Sequence, residues 1–164
     1  MLQKKICVLG PTGVGKTSLI KQFVEGIFSE KYLTSIGVKI DKKLLINGIR
    51  PVQLMIWDLE GIDKYSHFNP RYLRGASGLI FVADKSRFSS VSELMEIYSL
   101  TKKHLDVPSI LAINKDDLPQ SIKWDQSIVD SHAQSFDRIF TTSAKTGQSV
   151  EEMFEQIGKL ITES

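Results

Sequence analysis

Apolar positions along the chain fall into short runs separated by amphipathic stretches. Lys5 to Gly10 (KICVLG) is a short apolar run ending in glycine, the pattern of a buried strand. Leu19, Ile20, Phe23 and Val24 then recur at helical spacing, so a strand-loop-helix unit opens the chain. Val38 to Ile46 carries apolar residues at 38, 40, 44 and 46, and Pro51 to Trp57 alternates again. Asn47-Gly48 between these two runs is a strong hairpin signal. Leu79 to Ala83, Ser109 to Ile113 and Ile139 to Thr142 read as further strands. The first two are continuously apolar, as expected of strands covered on both faces of a parallel sheet. Between the strands, Val91, Leu94, Met95 and Tyr98 share one helical face, and Ile128, Val129, Ala133 and Phe136 another. The last helix is the clearest, with Val150, Met153, Phe154, Ile157, Leu160 and Ile161 on one stripe. Strands alternating with helices predict a three-layer α/β sheet. Ligands of such sheets bind outside the carboxyl ends of the strands, which is where chemistry should gather.

Composition narrows the class without naming a chemistry. The 164 residues suit one domain, 1–164, and no repeat or Pro/Gly/Ser linker divides them. Twenty-one Lys and Arg against 19 Asp and Glu leave a charge of +2, too small to argue for a nucleic-acid or membrane-surface partner. The single cysteine, Cys7, excludes an internal disulfide framework and reads as a small buried apolar residue of the first strand. No apolar run approaches a membrane span, and no signal-peptide core follows the N-terminus. A monomeric cytoplasmic domain is expected. His67, His104 and His132 are scattered, which gives no zinc spacing.

Gly10-Pro11-Thr12-Gly13-Val14-Gly15-Lys16-Thr17 matches G-x-x-x-x-G-K-[ST] between the predicted strand and helix, and Ser18 continues it. The glycines let the backbone curl around a polyphosphate with its N–H groups inward, and the helix N-terminus adds positive potential. Lys16 is placed to reach the β- and γ-phosphates, and the Thr17 hydroxyl to ligate Mg²⁺. Adenylate-type kinases, ATPases and GTPases all fit this loop. Asn114-Lys115-Asp116-Asp117 follows the strand ending at Ile113, and Ser143-Ala144-Lys145 follows the next strand. A carboxylate at Asp117 can accept from guanine N1–H and its exocyclic N2–H₂, a donor pair adenine lacks. A backbone N–H near Ala144 can donate to guanine O6.

With these motifs in order, the chain resembles the Ras-like small GTPases over nearly its whole length, and the Rab branch most closely. The resembling residues are GPTGVGKT at 10–17, SIGVKI at 35–40, IWD-x-x-G at 56–61, YLRGA at 72–76, NKDD at 114–117 and SAK at 143–145. The resemblance implies a P-loop G domain with a six-stranded, mostly parallel sheet, one antiparallel edge strand and about five helices. It implies GTP and GDP as ligands with Mg²⁺, and two switches, near 26–38 and 59–74. Effector, exchange factor and GTPase-activating protein would meet the chain there. Position by position, Phe28 would stack on the guanine and Tyr32 cap the phosphates. Asn114, Lys115, Asp117, Ser143, Ala144 and Lys145 would surround the base. Ser35 stands where the family uses Thr on Mg²⁺, Asp58 would hold the metal through water, and the Gly61 N–H would bond the γ-phosphate. Trp57 and Tyr72 match an aromatic effector patch whose third member is Ile40 here.

The departures are concentrated in one stretch. Where the family writes Asp-Thr-Ala-Gly-Gln, this chain reads Asp58-Leu59-Glu60-Gly61-Ile62. The family glutamine orients the water that attacks the γ-phosphate, and Ile62 has neither donor nor acceptor for it. Glu60 adds bulk and charge in place of a small alanine. The expectation is a GTP/GDP switch with slow or partner-dependent hydrolysis. The alternatives are a GTP-binding module that barely hydrolyses and, more remotely, a P-loop kinase of a small metabolite. The kinase needs an arginine-rich lid, yet between Asp84 and Val107 the only arginine is Arg87. The resemblance also implies a lipidated cysteine after a C-terminal tail. The chain ends at Ser164 without one, so no direct membrane anchor is expected within it.

Overall fold

A strand buried on both faces must send apolar side chains alternately to two layers, and the central strands of this protein do so. The computed structural model describes residues 2–28, 38–46, 48, 50–59 and 69–163. Their order is β1 (Leu2–Leu9), α1 (Lys16–Glu25), β2 (Val38–Leu45), β3 (Val52–Leu59), a 3-10 segment (Pro70–Leu73) and β4 (Ala76–Asp84). There follow α2 (Ser89–Lys102), β5 (Ser109–Asn114), α3 (Gln126–His132), a second 3-10 segment (Ala133–Ser135), β6 (Arg138–Thr141) and α4 (Val150–Thr162). The strands form one sheet in the order β2-β3-β1-β4-β5-β6. All neighbours are parallel except β2, which runs antiparallel to β3 at the edge. Of the roughly five helices expected, four α-helices stand among the described residues, with the two 3-10 segments beside them.

β1 shows how the layers are built. Ile6 and Val8 face a core shared with Leu19, Ile20 and Phe23 of α1 and Met153, Phe154 and Ile157 of α4. Cys7 and Leu9 face the opposite core with Val91, Leu94 and Ile97 of α2 and Val129 of α3. Phe23 and Phe154 stack with ring centroids 4.1 Å apart and planes 4° from parallel, locking α1 to α4.

Three local differences from the sequence pattern have physical reasons. β1 begins at Leu2 because Gln3 and Lys4, although polar, pair in parallel register with Gln53 and Leu54 of β3. The hairpin forms, but its last pair is Leu45 with Val52, so residues 46–51 connect the strands rather than Asn47-Gly48 alone. Pro51 has no N–H to give a ladder closed further out. Around α3, Val129 and Phe136 are buried while Ile128 is exposed. Ile128 and Val129 are neighbours about 100° apart around α3, so only one of them faces the core, and the 3-10 winding after His132 changes the rotation again before Phe136.

The topology brings five chain segments to one sheet edge. Gly10 follows β1, while Asp58, Asp84 and Asn114 lie at or near the carboxyl ends of β3, β4 and β5. Thr142 and Ser143 follow β6. Because β1 lies between β3 and β4, its loop is flanked on both sides by charged strand ends.

Candidate functional site

The loop after β1 is held by its carbonyl groups. Lys16, almost wholly buried, donates from Nζ to the Gly10 carbonyl at 2.8 Å and the Pro11 carbonyl at 2.9 Å. Arg87 Nη2 donates to the Thr12 carbonyl at 3.0 Å, and Lys115 Nζ to the Gly13 carbonyl at 2.8 Å. Asn114 Nδ2 donates to the Val14 carbonyl at 2.9 Å. The Gly15 carbonyl accepts the first helical bond of α1, from Leu19 N–H at 2.9 Å. Every carbonyl from Gly10 to Gly15 therefore has a donor from the protein. In a trans peptide the C=O and N–H point in opposite directions, so tying the carbonyls to the protein turns the N–H groups the other way. A glycine-bearing loop with its carbonyls held by the protein, at a helix N-terminus, is suited to present its N–H groups to an anion.

Two glycines are required by this geometry. A Cβ on Gly15, whose φ is +100°, would lie 2.4 Å from Asn114 Nδ2. A Cβ on Gly10 would lie 2.5 Å from the Val82 carbonyl oxygen of β4. Side chains at either position would push the loop off the strand ends that shape it.

Asn114 is the hub between this loop and the base motif. Its Oδ1 accepts from Thr142 Oγ1 at 3.0 Å while its amide holds Val14, so the ends of β5 and β6 and the phosphate loop meet in one buried residue. Lys115, in a left-handed conformation with φ 67°, also pairs with Asp84 Oδ2 at 3.1 Å. Lys85 pairs with Asp116. That hydrogen bond, with a second from Gln148, holds the Asp116 carboxyl below the ordinary carboxylate range. Asp117 Oδ1 accepts from Ser143 Oγ at 2.7 Å, and Gln22 Nε2 of α1 donates to the Ala144 carbonyl at 2.7 Å. An exposed carboxylate and a fixed Ser-Ala turn thus meet at the sheet edge, and Lys145 follows that turn. Phe28, partly exposed, follows the left-handed Gly26 that ends α1.

Thr17 Oγ1 donates to Asp58 Oδ2 at 2.5 Å, and Asp58 is buried at the end of β3. A hydroxyl and a carboxylate together beside an anion loop are oxygen donors of the kind a hard divalent cation takes. Mg²⁺ completes its shell with water and phosphate rather than with a protein cage, so this small donor set fits it. Ser35, Glu60, Gly61, Ile62 and Tyr32 lie outside the described residues, as do parts of both expected switches.

The aromatic patch is divided between surface and core, with Trp57 partly buried against the second core. Ile40 of β2 lies directly across from Trp57 of β3, and Ile40 and Tyr72 are both exposed. Beneath them, Lys5 Nζ sits 3.6 Å from the centre of the Trp57 ring and donates to the Arg74 carbonyl at 2.9 Å. Cys7 Sγ donates to the Tyr72 carbonyl at 3.5 Å.

Of the predicted residues, the loop at 10–17, Asp58, Asn114, Lys115, Asp117 and Ser143 are joined by hydrogen bonds or strand ends at one sheet edge. Sequence reasoning missed Gln22, Asp84, Lys85 and the loop contact of Arg87. The strand order supplies the signal for Asp84, Lys85 and Arg87, since it sets the β4 end beside the β1 loop.

A family model described as the Ras family matches residues 5–163. The chain is 30% identical over 162 residues to the Ras-related protein RAB1BV of Beta vulgaris, covering 94% of this chain and 74% of that protein. It is 34% identical over 157 residues to human Ras-related protein Rab-32, covering 90% and 70%. To Ras-related protein Rab-32C of Dictyostelium discoideum it is 31% identical over 166 residues, covering 98% and 74%. With a six-stranded sheet of one antiparallel edge, an anion loop joined to a base loop, and these similarities along its length, the chain belongs to the Ras family of small GTP-binding switch proteins, on its Rab-like side.

Proposed function

We propose that this single domain, 1–164, is a Mg²⁺-dependent guanine-nucleotide switch whose own GTP hydrolysis is very slow. The observation that carries the reading is the Asn114 bridge to Val14, which joins the phosphate loop to the base loop in one rigid site. In this reading the N–H groups of 12–17 bind the β- and γ-phosphates, with Lys16 turning part of its ammonium toward them. Ser18 extends the phosphate site into the first turn of α1. Asp117 accepts from the guanine N1–H and N2–H₂, the Ala144 N–H donates to O6, and Lys115, Lys145 and Phe28 cover the ring. Thr17 and Asp58 hold Mg²⁺, the latter through water, and when bound the ion neutralises charge on the phosphate oxygens. Ser35 and the Gly61 N–H read the γ-phosphate, ordering the switches at 26–38 and 59–74 for effector, exchange factor and GTPase-activating protein.

Hydrolysis needs a water held in line with the γ-phosphate. Ile62 has no polar atom to orient it, so the rate rests on whatever a partner supplies, and a partner arginine is worth roughly 10³ to 10⁵ in rate. Glu60 beside it favours a second reading, a GTP-binding module that scarcely turns over, because its carboxylate opposes close approach to another anion. Single-turnover GTP hydrolysis of the unsubstituted protein beside Ile62→Gln and Glu60→Ala tests both. The switch reading expects a very low basal rate and a gain in Ile62→Gln. Rapid basal turnover without a partner would end both slow readings. No gain from either variant would favour the module.

A further inference from the structure

Arg87 stands outside every motif, yet its guanidinium touches the phosphate loop. Its backbone is fixed to the end of β4. Arg87 N–H donates to the Asp84 carbonyl at 3.0 Å, and the Arg87 carbonyl accepts from Ser90 N–H at 3.0 Å and Ser90 Oγ at 2.6 Å. From this anchored base the side chain makes one hydrogen bond among the described residues, Nη2 to the Thr12 carbonyl at 3.0 Å. Its Nε–H is buried with no acceptor among the described residues. A buried donor left unmade is destabilising, so the side chain is not placed by a hydrogen-bond network of its own.

The consequence lies on the other side of the peptide. The Thr12 carbonyl and the Gly13 N–H belong to one planar trans unit and point oppositely. Gly13 has φ 85°, a region open to glycine, so its peptide could turn easily if its neighbour were released. We infer that Arg87 is a positioning residue for nucleotide binding: by holding the Thr12 carbonyl away from the site, it aims the Gly13 N–H at the β- and γ-phosphates. It does for the Thr12–Gly13 peptide what Lys115 does for Gly13–Val14 and Asn114 for Val14–Gly15. Arg87 itself makes no contact with nucleotide. Because it comes from the β4–α2 connection, the loop is braced from the β4 side as well as from the base motif.

The inference rests on the nucleotide reading of the loop, and a comparison of GDP with GMP separates the two. GMP lacks the β-phosphate, so its affinity is indifferent to the Gly13 N–H. Release of a fluorescent GDP analogue and competition by unlabelled GDP and GMP are measured on the unsubstituted protein, Arg87→Ala and Arg87→Lys. Arg87→Ala is expected to weaken GDP about tenfold, the worth of one charge-assisted hydrogen bond. GMP affinity should stay within about twofold, and Arg87→Lys, which keeps a cationic donor, should recover part of the GDP loss. Far-UV circular dichroism of each variant shows whether it is folded. Equal weakening of GDP and GMP in a folded Arg87→Ala would mean general support of the fold, and unchanged GDP affinity would mean no role; either overturns the assignment. If the unsubstituted protein binds no GDP, the nucleotide reading falls with it.

Discussion

Cys7 illustrates how a single residue takes its chemistry from its surroundings. It lies in the second core, and burial pushes its thiol up to about 12. The proton is also in use, in the bond to the Tyr72 carbonyl. Iodoacetamide at pH 8 should leave Cys7 unmodified in the native protein and label it fully in denaturant, as read by mass spectrometry; rapid native labelling would contradict the burial. Between its ordinary value of 9.0 and about 12, the unfolded chain loses a proton that the native thiol retains. Stability conferred by this group is therefore complete below pH 9 and falls as pH rises toward 12, by up to ~1.4 kcal/mol per pH unit. Lys5 acts in the opposite sense, because burial lowers its ammonium value and the native state then binds fewer protons than the unfolded one. Urea titrations of the protein and of Cys7→Ala at pH 8 and pH 10.5 isolate the cysteine contribution. The unsubstituted protein should lose more stability on the step than the variant.

At the scale of elements, the clearest sequence signal became a buried helix face. The stripe of α4 buries Met153, Phe154, Ile157 and Ile161 in the first core, where α4 meets α1, β4 and β5, and Phe154 stacks on Phe23. Phe154→Ala should destabilise the protein by ~3–5 kcal/mol in urea, through lost transfer energy and the cavity left behind. A loss under 1 kcal/mol would mean that α4 is not the lid of this core. α3 makes the opposite case. Its apolar positions are real but few, and a short helix passing into a 3-10 segment buries Val129 and Phe136 while exposing Ile128. Periodicity predicts a face well only where an element is long enough to keep one rotation. The hairpin was readable in kind but not in length, because proline chemistry at position 51 counts against the tight closure that Asn47-Gly48 suggested.

For the whole molecule, the site belongs to no single element. The residues proposed for phosphate, metal and base come from the ends of β1, β3, β5 and β6, so a ligand that spans them would tie together both halves of the sheet. GDP with Mg²⁺ at about a hundred times its Kd should stabilise the fold by ~2.7 kcal/mol. For a domain of this size that corresponds to a rise in melting midpoint of about 5–10 °C. Differential scanning fluorimetry with GDP, and with ADP at equal concentration, checks this. An equal shift with ADP would contradict the guanine assignment to Asp117. No helix among the described residues is long and apolar enough to cross a membrane. The exposed Ile40 and Tyr72 with Trp57 remain an apolar surface at the edge of the sheet, backed by the Lys5 ammonium.

Sequence alone determined what depends on local spacing. The loop glycines with the lysine and threonine that follow them, the Asn-Lys-Asp-Asp string and the helical stripe of α4 are each patterns confined to a few neighbouring residues or turns. Their chemistry could therefore be read without coordinates, and so could the loss of a polar side chain at Ile62. Tertiary structure decided what depends on strand order. Only the placement of β1 between β3 and β4 sets Thr17 beside Asp58, and only the neighbouring β4 end brings Arg87 to Thr12. Asn114 and Val14 are distant in sequence, and no motif states which carbonyl the amide will hold. The loop and base motifs were legible in the chain, but the donors that hold the loop carbonyls come from segments that only folding makes adjacent.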